Sequence, residues 1–333
     1  MKVIQMQKAG GPEVLEPVER PLPEPSEGEI RVRAQAIGVS SADMLVRKGM
    51  YPWVRDVRAV PGNEMAGTVD ALGPGVKDVR VGERVLVSSR ELTSRGGCYA
   101  EAICVPASSI FPLPEGIAPR DAVSLPNYQL AGALLYESGV RKPHSIATYG
   151  ASGGVGMALL QLAICDGLTA IGIVSSEAKR DFTRAAGVEH VLIRRRDDLQ
   201  KAVMTVTAGR GVDVVYAMGG PGAEFTANLD LLAPLGTIVS FGALGGPMPD
   251  ADIFGELRKA DRRGKSLGVR CYSIHTLDGD RELRRKLMQR AIELMAAGRL
   301  RPPSPTVLAL VEAARAHEIM EAGKTLGKVV LVP

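Results

Sequence analysis

The sequence predicts an α/β protein in which a doubly wound parallel sheet is joined to a β-rich domain. Three observations carry that prediction. Up to about Pro119 the chain shows short alternating strands broken by Pro and Gly turns. Beyond it, apolar strands alternate with stretches of helical periodicity, the pattern of a parallel sheet covered on both faces. Early in that second stretch the run Tyr149-Gly150-Ala151-Ser152-Gly153-Gly154-Val155-Gly156 follows a strand and opens a helix. A chain of 333 residues accommodates two domains, assigned as 1–121 with 266–333 and as 122–265.

In the β-rich part, Ile30, Val32, Ala34 and Ala36 alternate with polar residues over Glu29 to Ile37, which predicts a half-buried strand. Further strands are expected at Thr68-Val69, Arg84 to Val87 and Tyr99 to Val105. The second part reads as strands Ser145 to Tyr149, Thr169 to Val174, His190 to Ile193, Val212 to Ala217 and Thr237 to Phe241. Helices lie between them, with Val155, Ala158, Leu159, Leu162 and Ala163 marking the buried face of the first. A strand at Ser266 to Cys271, a charged helix from Asp280 to Ala297, a helix around Val311 to Met320 and the apolar run Val329 to Val332 complete the chain. This tail is too short for a third domain and is expected to return to the first.

The glycine run has the chemistry of a diphosphate cradle. Ala151 permits the tight turn, Gly153 lets backbone approach the diphosphate, and Gly156 lets the helix pack on the sheet, while the helix N-terminus offers free N–H groups.

Composition narrows the function. A net charge of +4, in short clusters such as Arg194-Arg195-Arg196 interrupted by acids, together with 4% aromatics, argues against a nucleic-acid surface. Cys98, Cys104, Cys165 and Cys271 form no C-x-x-C pair, which predicts free thiols and no structural zinc lobe. The N-terminal residues lack the succession of a secretory signal and no apolar run has bilayer length, so a cytoplasmic protein with no membrane partner is expected.

Ordered blocks along the chain give a more specific reading: Gly38 to Asp43, Arg47 to Tyr51, Pro61 to Gly67, Val81 to Val85, the glycine run, Gly211 to Val215, Val239 to Gly242 and Gly327 to Leu331. Together they resemble the zinc-free quinone oxidoreductases of the medium-chain dehydrogenase/reductase superfamily. The resemblance implies a GroES-like catalytic domain, a Rossmann dinucleotide-binding domain and a homodimer paired through the sheet edge near Val239 to Ala243. Zinc-dependent relatives carry Cys and His where this chain has Ser40 and Asn63, neither a good zinc ligand. Glu64 remains and is read as structural, so no metal is expected.

An NAD-binding strand ends in an acid that accepts from the ribose hydroxyls. Here the tip offers Ser175 and Ser176, followed by Glu177 and Lys179. Ser175, Lys179 and Arg194 are suited to a 2′-phosphate, so NADPH is the expected cofactor. Ser175 and Lys179 match NADPH-contacting positions of the family, whereas Arg194 replaces a common tyrosine and its role is inferred from charge. The alternative is that Ser176 caps a helix whose first turn carries Lys179 at the surface. An arginine of relatives is Gly323 here, with Lys324 as its substitute.

The resemblance implies hydride transfer to a quinone or related α,β-unsaturated carbonyl. Tyr51 matches a substrate-pocket tyrosine that orients or protonates an oxygen, or it simply packs at a loop edge. Ser40 either hydrogen-bonds a substrate oxygen or caps the following helix. Asn127 begins a block resembling the nicotinamide-side loop, and Phe241, Gly242 and Ala243 are expected to flank the nicotinamide, core packing being the alternative for Phe241. Leu45 and Leu130 depart from a tyrosine and a threonine of relatives. An enoyl thioester reductase and an NADPH-binding protein with little turnover are the competing readings. His144, His190, His275 and His317 match no catalytic position.

Overall fold

The structure is a computed structural model that describes residues 1–51, 60–139, 144–217, 226–242, 252–259 and 264–333. The first stretch supplies β1 (Lys2–Gln5), β2 (Glu16–Glu19), β3 (Glu29–Val39), α1 (Ser41–Arg47), β4 (Glu64–Leu72), β5 (Arg84–Ser88), β6 (Ala102–Pro106) and β7 (Ile110–Pro112). Helices α2 (Pro119–Ala122) and α3 (Leu125–Tyr136) lead into β8 (Ser145–Tyr149), α4 (Gly154–Cys165), β9 (Thr169–Val174), α5 (Glu177–Ala185), β10 (His190–Ile193), α6 (Leu199–Val206), β11 (Val212–Ala217) and β12 (Leu232–Phe241). After α7 (Ile253–Leu257) come β13 (Gly268–Tyr272), α8 (Arg281–Ala296), β14 (Thr306–Ala309), α9 (Ala313–Glu321) and β15 (Val329–Val332).

Contacts divide the chain into two compact units. One comprises Met1–Pro126, Ile292–Ala297 and Pro303–Pro333; the other Asn127–Ala291 and Gly298–Pro302. The first is organised around β3, which pairs antiparallel with β4, β6 and β15 in a seven-stranded sheet. Its alternating apolar residues feed a core that includes Ile4, Ile30, Val32, Ile37, Met65, Val85 and Leu331. Each such side chain contributes roughly 1.5–3 kcal/mol on burial. The expected strand from Tyr99 forms only from Ala102, because Tyr99 spends its backbone N–H on Pro61 O and its carbonyl on Ile4 N.

The second unit is a six-stranded parallel sheet in the order β10-β9-β8-β11-β12-β13. Numbered from β8 this is the 3-2-1-4-5-6 order of a dinucleotide-binding fold, in which ligands sit at the C-terminal strand ends where the order reverses. The glycine run follows β8, which lies at that reversal. Helix α4 buries Met157, Ala158, Leu159, Leu160, Leu162 and Ala163, apolar on nearly every side as a helix enclosed by protein must be. On α5 the buried residue is Thr183, whereas Phe182 is only half-buried.

Two expectations need correction. The boundary drawn at 265/266 gave residues 266–291 to the β-rich domain, yet they belong to the second unit. Strand β13 completes the parallel ladder beside β12, and Gln129 Nε2 donates to Arg284 O at 2.8 Å. The return to the first unit begins later, at Ile292, and its strands are β14 and β15. The sheet edge expected near Val239 to Ala243 is also displaced: β12 is flanked by β11 and β13, so β13 is the edge strand among the described residues.

Candidate active site

In the second unit, α4 starts at Gly154 with Gly153 as its N-cap and no side-chain cap. Its first N–H groups therefore meet no capping oxygen, and the helix dipole leaves partial positive charge there. Two close approaches are made at glycines, the first against backbone and the second against a side chain. A Cβ on Gly156 would lie 2.3 Å from Gly150 O, and one on Gly154 would lie 2.4 Å from Asn127 Nδ2. Asn127 thus overlies the start of α4; it stands in the first turn of α3 rather than in a loop. Ala151 and Ser152 are buried beneath the turn, while Gly153, Gly154 and Val155 are half-buried. This uncapped, side-chain-free cradle fits a diphosphate.

At the tip of β9, Lys179 Nζ donates to Ser175 Oγ at 3.2 Å. Arg194 N donates to Val174 O at 2.8 Å, so the end of β10 brings Arg194 beside Ser175. Glu177, the acid nearest this tip, is paired with Arg196 and Arg180. The bland reading also holds in part, since Ser176 Oγ caps α5 by accepting from Lys179 N at 3.4 Å. Arg194, Arg195, Tyr149 and Asn228 line a cavity of about 270 Å³. Its wall is fixed by Tyr149 Oη donating to Asn228 Oδ1 at 2.5 Å, a contact between residues 79 apart that no sequence signal announced. Asp197 closes the turn after β10 by accepting from Ile193 N at 2.7 Å; that bond and its neighbour Arg196 hold its carboxyl below the usual range despite partial burial.

Phe241 is buried edge-on against Tyr216, with centroids 6.4 Å apart, which is the core-packing reading. Gly242 follows β12 at φ +75°, and Ala243 lies outside the described residues.

In the first unit Ser40 caps α1 through a reciprocal box. Ser40 N and Oγ both donate to Asp43 Oδ2, at 2.7 and 2.8 Å, while Asp43 N donates to Ser40 Oγ at 3.4 Å. Asn63 Nδ2 donates to Asp43 Oδ1 at 2.7 Å, and Ser89 Oγ donates to Asn63 Oδ1 at 2.6 Å. Beside them the buried Glu64 carboxylate is paired with Lys328. Asp43 is wholly buried, and burial pushes its carboxyl up to about 6 against the opposing Ser40 hydrogen bond, with Glu64 adding to the rise. Sequence reasoning missed Asp43, although Ser40-x-x-Asp43 has the spacing of a capping box.

Tyr51 is buried against the apolar core and its hydroxyl receives a hydrogen bond from Arg95 at 3.4 Å. Arg95 was another residue without a sequence signal. Lys324 is exposed in the turn between α9 and β15. His317 is fully buried with Nε2 3.0 Å from Tyr99 Oη. Among the described residues, no three His, Cys, Asp or Glu side chains converge as for a metal ion, and no helix is long and apolar enough to cross a membrane.

Residues 26–115 match the model of the alcohol dehydrogenase GroES-like domain, and residues 186–331 match the model described as zinc-binding dehydrogenase. The chain is 33% identical over 334 residues to a quinone oxidoreductase of Salmonella typhimurium, covering 99% of both proteins. It belongs to the zinc-free quinone oxidoreductase family of the medium-chain dehydrogenases/reductases. A mouse synaptic vesicle membrane protein VAT-1 homolog is 31% identical over 329 residues, covering 93% of this chain and 78% of the mouse protein. The structure of Escherichia coli quinone oxidoreductase complexed with NADPH superimposes with a TM-score of 0.83 at 29% identity, covering all of both chains. The protein is an oxidoreductase of this family, with a GroES-like unit and a Rossmann unit.

Proposed function

We propose that this member of the quinone oxidoreductase family reduces a quinone or related α,β-unsaturated carbonyl with NADPH and without zinc. The observation that carries the zinc-free part is the engagement of Ser40 and Asn63. Both are hydrogen-bonded to Asp43, and the nearby Glu64 carboxylate is neutralised by Lys328. A hydroxyl, an amide and an ion-paired carboxylate are a poor donor set for zinc. Polarisation of the acceptor then falls to hydrogen bonds and positioning.

NADPH supplies the hydride. Gly153, Gly154 and Val155, with Ala151 and Ser152 beneath them, hold the diphosphate at the start of α4, and Asn127 borders it. Ser175, Lys179 and Arg194 hold the 2′-phosphate, and Lys324 adds a cation. Gly242 follows Phe241 and flanks the nicotinamide through backbone, while Phe241 itself supports it from the core. Tyr51 and Ser40 contact the acceptor. The name of the Salmonella relative supports a quinone as that acceptor. We assign the protein as a homodimer joined through the edge strand β13 and as cytoplasmic, an assignment that sedimentation of the purified protein checks for its dimer part.

The test is anaerobic mixing with NADPH and a panel of quinones, enones and a crotonyl thioester, with and without chelator. Quinone-dependent NADPH oxidation that chelator leaves unchanged is expected. Faster turnover of the thioester would transfer the assignment to an enoyl thioester reductase. Tight NADPH binding without reduction of any acceptor would make the protein a binder only.

A further inference from the structure

Reduction of a quinone by hydride leaves negative charge on an acceptor oxygen, and a proton must reach that oxygen. We infer that Ser40 Oγ hands over this proton and that the buried Asp43 carboxyl replenishes it. The inference rests on the reading of Ser40 as an acceptor contact.

The geometry is that of a two-step relay. Asp43 is fully buried and cannot meet a substrate, whereas Ser40, 2.8 Å away, is half-buried and reaches the surface of its unit. The proton path is therefore fixed: the O–H bond of Ser40 breaks toward the acceptor oxygen, and the Oδ2–H bond of protonated Asp43 breaks toward Ser40 Oγ. The acceptor gains one hydride from NADPH and one proton, Ser40 is restored, and Asp43 is left as a carboxylate. Water returns its proton after product leaves. Ser40 is then a catalytic residue and Asp43 a positioning residue that also stores the proton.

A reservoir must tolerate both charge states. The anion is held by donors already in place, Ser40 N at 2.7 Å and Asn63 Nδ2 at 2.7 Å, with Asn63 itself fixed by Ser89. The neutral form is favoured by burial, which with Glu64 outweighs these donors and Lys328 to bring the carboxyl to about 6. The other titratable groups facing Asp43 are Cys98 and Tyr99, both buried and both raised, first by burial and then by the charges of Asp43 and Glu64, so they stay neutral as Asp43 titrates. Beyond Tyr99 lies His317, which burial also keeps neutral. A helix cap alone would call for none of this, because an exposed Asp caps equally well.

The experiment separates cap from relay. Ser40→Asn retains a capping side chain but has no hydroxyl to pass a proton; Ser40→Thr retains both; Asp43→Asn removes the reservoir. With the best acceptor, wild-type turnover is expected to fall above an apparent pKa near 6 or higher and to show a solvent deuterium isotope effect. Ser40→Thr should keep both features. Ser40→Asn and Asp43→Asn should lose them together with roughly a hundredfold in kcat, at unchanged Kd for NADPH. Cγ NMR of the cofactor-free wild type should show Asp43 titrating well above the ordinary carboxylate range. Ser40→Asn turnover within about twofold of wild type with the same pH profile, or an Asp43 signal that stays ionised down to the ordinary range, would overturn the relay while leaving quinone reduction intact. A wild type that reduces no acceptor would sink both. Should Asp43→Asn fail to fold, Ser40→Asn and the NMR titration decide the matter alone.

Discussion

Lys179 Nζ donates to Ser175 Oγ at 3.2 Å, so an ammonium and a hydroxyl stand together at the tip of β9, next to the start of Arg194. Glu177, which follows this tip in sequence, is paired with Arg196. Lys179→Ala is expected to weaken NADPH through loss of a charge-assisted hydrogen bond of about 1.5–3 kcal/mol, roughly ten- to a hundredfold in KM. KM for NADH should change little. Steady-state kinetics with both cofactors checks this, and equal loss for both would remove Lys179 from the 2′-phosphate site.

Gly156→Ala tests the cradle itself. The added methyl would sit 2.3 Å from Gly150 O, a backbone atom that cannot swing aside. Lower thermal stability by about 1–3 kcal/mol and loss of NADPH fluorescence enhancement are expected. Normal cofactor affinity in a stable Gly156→Ala protein would contradict the close packing described.

The buried pair Glu64–Lys328 joins residues 264 positions apart. Lys328→Met leaves an uncompensated buried carboxylate and should destabilise by about 3–5 kcal/mol. The double variant Glu64→Leu with Lys328→Met should recover much of that loss. Denaturant titration of wild type, each single variant and the double variant reads the coupling, and simple additivity would argue against a desolvated pair.

Acid stability should depend on His317. Burial, and then the charge of Arg47 against that of Glu321, lowers it from 6.5 to about 4, so between those values the unfolded chain binds a proton that the folded chain does not. Stability is therefore full above about pH 6.5 and is lost as pH falls toward 4, by on the order of 3 kcal/mol. Asp43 acts in the opposite sense, since its raised carboxyl makes the folded state bind the extra proton between 3.8 and about 6. His317→Gln should flatten the decline from pH 6.5 downward, and Asp43→Asn should steepen it. Urea unfolding at several pH values measures both slopes.

Period and turn chemistry are local, and they made much of this protein legible. The alternation from Ile30 to Ala36, the strand-turn-helix at Gly150 to Gly156 and the hydroxyls at the tip of β9 each depend on neighbours within a few residues. The order of blocks added the family. What the sequence could not decide depends on partners brought together by burial. Strand β13 joined the parallel sheet because β12 offered an open ladder there. Ser40 became part of a proton-holding network because Asn63, Glu64 and Lys328 converge on the same buried carboxylate. Desolvation gives Asp43 its raised carboxyl, and desolvation exists only once the tertiary fold has closed around it.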